Sequence, residues 1–207
     1  MSGRYWDAPL RWNASAERAG LRARVFCATM ADLFESNAPA GQLDRLWSLI
    51  ARTAHLDWQL LTKRPERILT SLPTDWDTGY RNVWLGTTVE DHRVAGRIEI
   101  IRDIPAVVRF LSLEPLIGPI SNLDLRGIHW VIVGGESGPN ARPIRREWVS
   151  EILAQCSEQN VAFFFHQWGG VNKGRSGRLL NGRVYEEMPQ TPFDSDAHPL
   201  VQLSLPM

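Results

Sequence analysis

The chain has 207 residues, enough for one sizeable core, and its 23 Lys plus Arg balance 23 Asp plus Glu to a formal net charge of zero. That balance excludes a uniformly basic nucleic-acid platform. Two cysteines, Cys27 and Cys156, are too few for a CxxC…CxxC zinc site or for ligating an iron–sulfur cluster; with no export signal or long apolar span in view, the reading is a soluble, cytoplasmic protein.

Six short apolar runs follow one another along the chain. They are "RVFCATMADLF" (24–34), "WQLLTKRP" (58–65), "NVWLGTTVED" (82–91), "AVVRFLSLEP" (106–115), "HWVIVGGESG" (129–138) and "VAFFFHQWGG" (161–170). Their continuous apolar character predicts strands buried on both faces, as in parallel sheets. Helical patterns lie between several of them. "APAGQLDRLWSLIARTA" carries Leu43, Leu46, Trp47 and Ile50 on one stripe. "RPERILTSL" opens with Pro65, a favoured first-turn residue. "EDHRVAGRIEIIRDI" is a third, and "RREWVSEILAQCSEQN" a fourth with Trp148, Val149, Ile152, Leu153 and Cys156 at helical spacing. The Pro/Gly-rich segment after Glu114, "PLIGPISNLDL", is too short for a full helix and predicts a reduced crossover. Beyond residue 170, Asn181-Gly182 between strand-like flanks signals a hairpin, and the last fifteen or so residues read as an irregular tail.

This alternation predicts an α/β fold, with a barrel-like domain over 1–170 and a hairpin and tail over 171–207. Two architectures compete, an open doubly wound sheet and a (β/α) barrel. A full eightfold barrel typically takes about 250 residues, and six units fall short of one.

Each run ends in polar groups. The first reaches Asp32; the second Thr62, Lys63 and Arg64; the third Thr87, Thr88 and Glu90; the fourth Ser112 and Glu114. The fifth reaches Gly134, Gly135, Glu136 and Ser137, and the sixth His166, Gln167 and Trp168. In parallel α/β folds the carboxyl ends of the strands share one side, where ligands bind. Gly134 and Gly135 would let backbone approach a ligand closely, with Glu136 and Ser137 supplying polar contacts. Against this stands the plainer reading that strand ends meet solvent, that Lys63 and Arg64 neutralise Glu90 and Glu114, and that the glycines make a tight turn. Six such ends together weigh toward a site. His55, His92, His129 and His198 lack zinc-ligand spacing, and no GxSxG, GxxxxGK[ST] or GxGxxG motif occurs. Both cysteines sit in apolar patterns and read as buried.

The motifs "MADLFE", "LLTKRPER", "VWLGTTVED", "RFLSLEPLIGP", "WVIVGGESGPNARP" and "VAFFFHQWGG", in that order, resemble the phage gene-product-37/68 family, which is similar to three-cysteine radical-SAM barrels. The resemblance covers about residues 6 to 190. It implies a partial (β/α) barrel of about six parallel strands and, in intact members, a [4Fe–4S] cluster with S-adenosylmethionine. Such members carry a three-cysteine loop after the first strand, and usually Lys where this chain has His166. This sequence has no such loop and begins just before what would be the second strand. The cluster is therefore not carried over, and no cofactor is expected in this chain.

Three functions follow as expectations. One is a truncated or degenerate radical-SAM-like protein that keeps a polar substrate rim, enzymatic by that chemistry only if the cysteine loop is supplied elsewhere. The second is a binding module for a nucleotide-like or phosphorylated ligand, held by Lys63, Arg64, Arg142 and the backbone amides of 134–137, with Trp168 stacking a base. The third is a carboxylate-metal enzyme using Asp32, Glu90, Glu114 and Glu136 for Mg²⁺ or Mn²⁺. The partner expected is a small polar ligand or nucleic-acid-derived substrate, with no membrane. A missing first strand would leave a sheet edge for "RYWDAPLRW", an oligomer or a partner to cover.

Overall fold

The structure, a computed structural model, describes residues 3–27, 32–35, 39–171, 177–191 and 201–204. The end of the first apolar run at 28–31 and most of the C-terminal tail lie outside the described residues. The chain forms two compact units. The first comprises 1–86, 104–107 and 191–207; the second comprises 87–103 and 108–190.

The first unit contains helix α1 (Gly3–Ala19), strand β1 (Ala23–Cys27), helix α2 (Gln42–Ala51) and strand β2 (Leu56–Thr62). Strand β3 (Val83–Thr88) begins in it and runs on into the second. β1 and β2 are parallel, with Ala23 opposite Leu56 and Cys27 opposite Leu60. Every residue of β2 and β3 is buried, including Asp57 and Gln59 of β2, as expected of strands covered on both faces. α2 buries Leu46, Trp47 and Ile50 of the stripe read from the sequence, together with Leu49, while Leu43 is only half-buried. α1 packs on β1, β2 and α2 and carries Pro9 within it.

Two expectations change here. "RPERILTSL" forms two short 3-10 turns, Pro65–Arg67 and Leu69–Ser71, and not a full helix. The hydroxyls of Thr70 and Ser71 bond back to the Arg67 carbonyl, and Pro73 forces Leu72 into the extended region. The tail, expected to be irregular, also contributes a strand, β7 (Val201–Ser204), parallel to β1 with Ala23 opposite Val201. A strand edge offers a row of N–H and C=O groups that must find partners, and β7 supplies them for β1. The N-terminal segment, named as one candidate cover, forms α1.

The second unit contains helix α3 (Arg97–Arg102), strands β4 (Val108–Leu113) and β5 (Trp130–Gly134), helix α4 (Arg146–Glu158) and strand β6 (Ala162–Gln167). β4, β5 and β6 pair in sequence order and in parallel, Phe110 opposite Trp130 and Trp130 opposite Ala162. The third helical pattern splits into a 3-10 turn, His92–Val94, capped by the Asp91 side chain, and the short α3 beyond Gly96. The crossover after Glu114 is irregular, as its prolines and glycines predict. Two of its backbone N–H groups are held from α4 and its C-cap: Gln155 Oε1 accepts from the Leu123 N–H at 2.6 Å and Gln159 Oε1 from the Leu125 N–H at 2.9 Å. The hairpin is present. Leu180 and Arg183 exchange both backbone hydrogen bonds, and Asn181 and Gly182 have φ of 52° and 76°, as a two-residue turn of this hand requires. Its second arm lies antiparallel along β6, through Phe165 N–H to the Tyr185 carbonyl and Glu187 N–H to the Phe163 carbonyl.

The fold is therefore α/β with parallel strands. Neither β1–β2 nor β4–β5–β6 reverses its order, which is the winding of the partial barrel and not that of a doubly wound sheet. No helix among the described residues is long and apolar enough to cross a membrane.

One buried polar link in the first unit is testable. Trp58 is fully buried and its Nε1 donates to Thr53 Oγ1 at 3.0 Å, while that hydroxyl donates to the Leu49 carbonyl at 2.8 Å. Thr53→Val keeps the shape but strands the indole N–H. It should lower unfolding free energy by about 1–3 kcal/mol in urea titrations. Trp58→Phe should then cost less in the Thr53→Val background than in the wild type.

Candidate functional site

The strand ends of the second unit carry most of the polar groups singled out in the sequence, and hydrogen bonds sort them into three clusters. The first is centred on Glu114, immediately beyond β4. Its carboxylate lies 2.9 Å from His166 Nδ1 through either oxygen and accepts from Gln167 Nε2 at 3.0 Å. His166 and Gln167 are neighbours at the end of β6, where alternation would send their side chains to opposite faces. A register shift opposite Val133 and Gly134 interrupts the ladder there. Gly134, the last residue of β5, makes room for the carboxylate: a Cβ at this position would stand 2.5 Å from Glu114 Cδ.

Because an ionised carboxylate only accepts, His166 Nδ1 carries the proton in this arrangement. Nε2 is then the nitrogen offered outward, on a side chain 45% exposed. Gln167 is buried, and among the described residues its Oε1 has no hydrogen-bond partner. The cluster thus presents a partly exposed carboxylate and an oriented imidazole, above a buried amide oxygen that is unsatisfied.

The second cluster is a loop lock. Arg142 holds the Glu136 carboxylate by its Nε (2.7 Å), its Nη2 (2.9 Å) and its backbone N–H (2.8 Å). These bonds hold the Glu136 carboxyl down at about 2. Here the expected role of the glycines changes. A Cβ on Gly135 would collide with the Trp168 carbonyl, and one on Gly169 with the Glu136 carbonyl. Gly169 also has a φ of 74°. The close approach that these glycines permit is of one loop backbone to another. Gly135 N–H bonds the Gln167 carbonyl, Gly170 N–H the Glu136 carbonyl at 2.7 Å, and Ser137 forms a backbone bridge with Gly170. Trp168 is tied in as well, its Nε1 donating to the Leu179 carbonyl and its ring lying 4.7 Å from Phe165.

In the third cluster Glu90 accepts from Thr88 Oγ1 at 3.0 Å and from Arg97 at 3.1 Å. Arg97 also donates to the Thr88 carbonyl. Reading only the strand ends missed Arg97, because it comes from the first turn of α3. Gly169-Gly170 was missed too, though its pairing with Gly134-Gly135 is visible as a second "GG" after a strand.

In the first unit Asp32 ties the end of β2 to its own loop. It accepts from Thr62 Oγ1 at 2.5 Å, from the Lys63 N–H at 2.9 Å and from the Phe34 N–H at 3.1 Å. Arg64 donates to Glu35 at 3.4 Å and its N–H bonds Thr62 Oγ1.

A [4Fe–4S] cluster takes three or four thiolates at about neutral pH. Cys27 lies in β1 of the first unit and Cys156 in α4 of the second, and both are buried. Burial pushes the Cys27 thiol far up and the Cys156 thiol up to about 12. These residues do not fit a cluster. Among the described residues no three His, Cys, Asp or Glu side chains gather in an arrangement suited to a metal ion.

A family model described as "Protein of unknown function (DUF5131)" matches residues 1–189. No curated protein matches the chain, and no solved structure does.

Two outcomes follow from this geometry. Gly134→Ala should displace the Glu114 side chain and release His166, visible as changed imidazole ¹⁵N shifts with the backbone of β4 and β6 intact. The Glu136 carboxyl should titrate at about 2 by carbon NMR, and in Arg142→Ala return toward the ordinary carboxylate value of about 4.3. Since the folded value lies below the unfolded one, the lock contributes fully above the ordinary value and is lost as pH falls through about 2.

Proposed function

We propose that this chain, which belongs to the DUF5131 family, acts on a small polar molecule at the carboxyl ends of β4, β5 and β6, with His166 as the proton-transferring group and Glu114 as its positioning residue. The observation that carries this reading is the Glu114–His166 contact at 2.9 Å over the gap left by Gly134. A carboxylate on Nδ1 fixes the imidazole's orientation and tautomer, and leaves Nε2 to take a proton from a substrate or return it. The open lone pairs of the partly exposed Glu114 carboxylate favour a substrate rich in N–H or O–H donors.

The motif order set out above supports a finer placement, a protein of the phage gene-product-37/68, radical-SAM-like kind that keeps the substrate end of its strands and works without a cluster of its own. The phosphate-binding reading ranks lower because Arg142 is committed to Glu136, and the Gly135 N–H to the Gln167 carbonyl. The carboxylate-metal reading ranks lower because Glu90 and Glu136 each hold an arginine, and Glu114 a histidine.

A thermal-shift screen of polar metabolite-like compounds against wild type, Glu114→Gln and His166→Ala tests the site. Compounds that stabilise the wild type should lose affinity by about tenfold or more in Glu114→Gln, which keeps the volume and removes the charge. His166→Ala should abolish any turnover of such a compound. Stabilisation equal in all three proteins would overturn the assignment.

A further inference from the structure

A second concavity lies in the second unit, away from the Glu114 cluster. It is a groove of about 520 Å³ between α4 and the C-terminal hairpin. Val161, just before β6, and Phe163 sit at the start of that strand, whereas His166 and Gln167 sit at its end. Val161 and Phe163 are buried and with Leu153 give the groove an apolar floor. Ser150 and Ser157 of α4 and Asn181 of the turn add polar groups at its walls. The volume falls in the range of small-molecule sites, roughly 300–1,000 Å³.

The charges in the groove are unequal in availability. Arg183 lies 4.6 Å over the Tyr185 ring and, among the described residues, pairs with no carboxylate. Glu187 lines the same groove, but its Oε2 already accepts from the Phe163 N–H at 3.0 Å. The arginine is also held in place. It sits in the tight turn through its reciprocal bonds with Leu180, and the Tyr185 ring beneath it packs edge-on against Phe163 at 5.6 Å. A guanidinium stacked in this way loses little further freedom when it grips an anion, so more of the contact energy survives as affinity.

We propose that the groove between α4 and the hairpin binds a small anionic molecule with a flat or aliphatic body, its carboxylate or phosphate held by Arg183 and its body on Phe163, Val161 and Leu153. The site is independent of the proposed chemistry at His166.

Titration of the ¹⁵N-labelled full chain with benzoate, phenyl phosphate and benzylamine tests it. Both anions should shift amides of 150–157 and 181–187 and leave those of 134–137 and 166–168 unmoved. Benzylamine should not. The relative strength of benzoate and phenyl phosphate tells which anion the site prefers. Arg183→Gln should weaken anion binding on the order of tenfold, since a charge-assisted bond is lost. Ser157→Trp, which fills the groove from the helix side, should remove it. Both positions are exposed, so either variant should fold. Absence of binding by either anion, equal binding of benzylamine, or unchanged affinity in either variant would overturn the proposal.

Discussion

Three strands of this protein are covered on both faces, and that constraint decides where its chemistry stands. β2, β3 and β5 are buried at every position. An unpaired polar side chain on such a face costs several times what it returns, so ionisable groups collect beyond the strand ends, where solvent and loop dipoles reach them. Of the buried polar side chains, Thr53 bonds locally to the Leu49 carbonyl and Asp57, within β2, is paired with Arg22. Parallel pairing then sends the ends of β4, β5 and β6 to one side. Glu114, Gly134, His166 and Gln167 meet there because their strands run in the same direction.

At that end charges are paired, and each pair has a job set by its depth. Glu136 and Arg142 are solvent-accessible and close a loop. Glu114 is less exposed, and its partner is an imidazole and not a guanidinium. An arginine there would cancel the carboxylate for good, because its pKa lies far above any working pH. A histidine leaves one ring nitrogen uncommitted to the carboxylate. This difference between two neighbouring acids separates a structural tie from a candidate site.

Much of this was legible in the sequence. Continuous apolar runs gave the parallel strands, the Leu46–Trp47–Ile50 stripe gave α2, and Asn181-Gly182 gave the hairpin. Gathering of Glu114 with Gln167 and His166 followed from strand direction. Other features depend on contacts that no local pattern encodes. The loop after Glu114 is held by Gln155 and Gln159, more than thirty residues on. Gly134 and Gly135 were read as facing a ligand, because the sequence does not show that the Glu114 carboxylate and the Trp168 carbonyl occupy the space. "VQLS" in the tail is too short to distinguish from coil until β1 offers it an edge. The helix expected over "RPERILTSL" failed because three hydroxyl and proline effects, each small, act in one direction.

The pairing of Ala23 with Val201 also orders events during synthesis. β1 leaves a ribosome well before β7, the last of the described strands. At roughly 5–20 residues added per second, the outer edge of β1 stands open for many seconds while the rest of the chain is made. During that interval it is a template for any extended segment nearby, including β1 of another nascent copy on the same message. Closing so long a loop adds little entropy cost over a shorter one, since the cost grows only with the logarithm of length. The delay is therefore one of timing and not of final stability, and slow translation would prolong it.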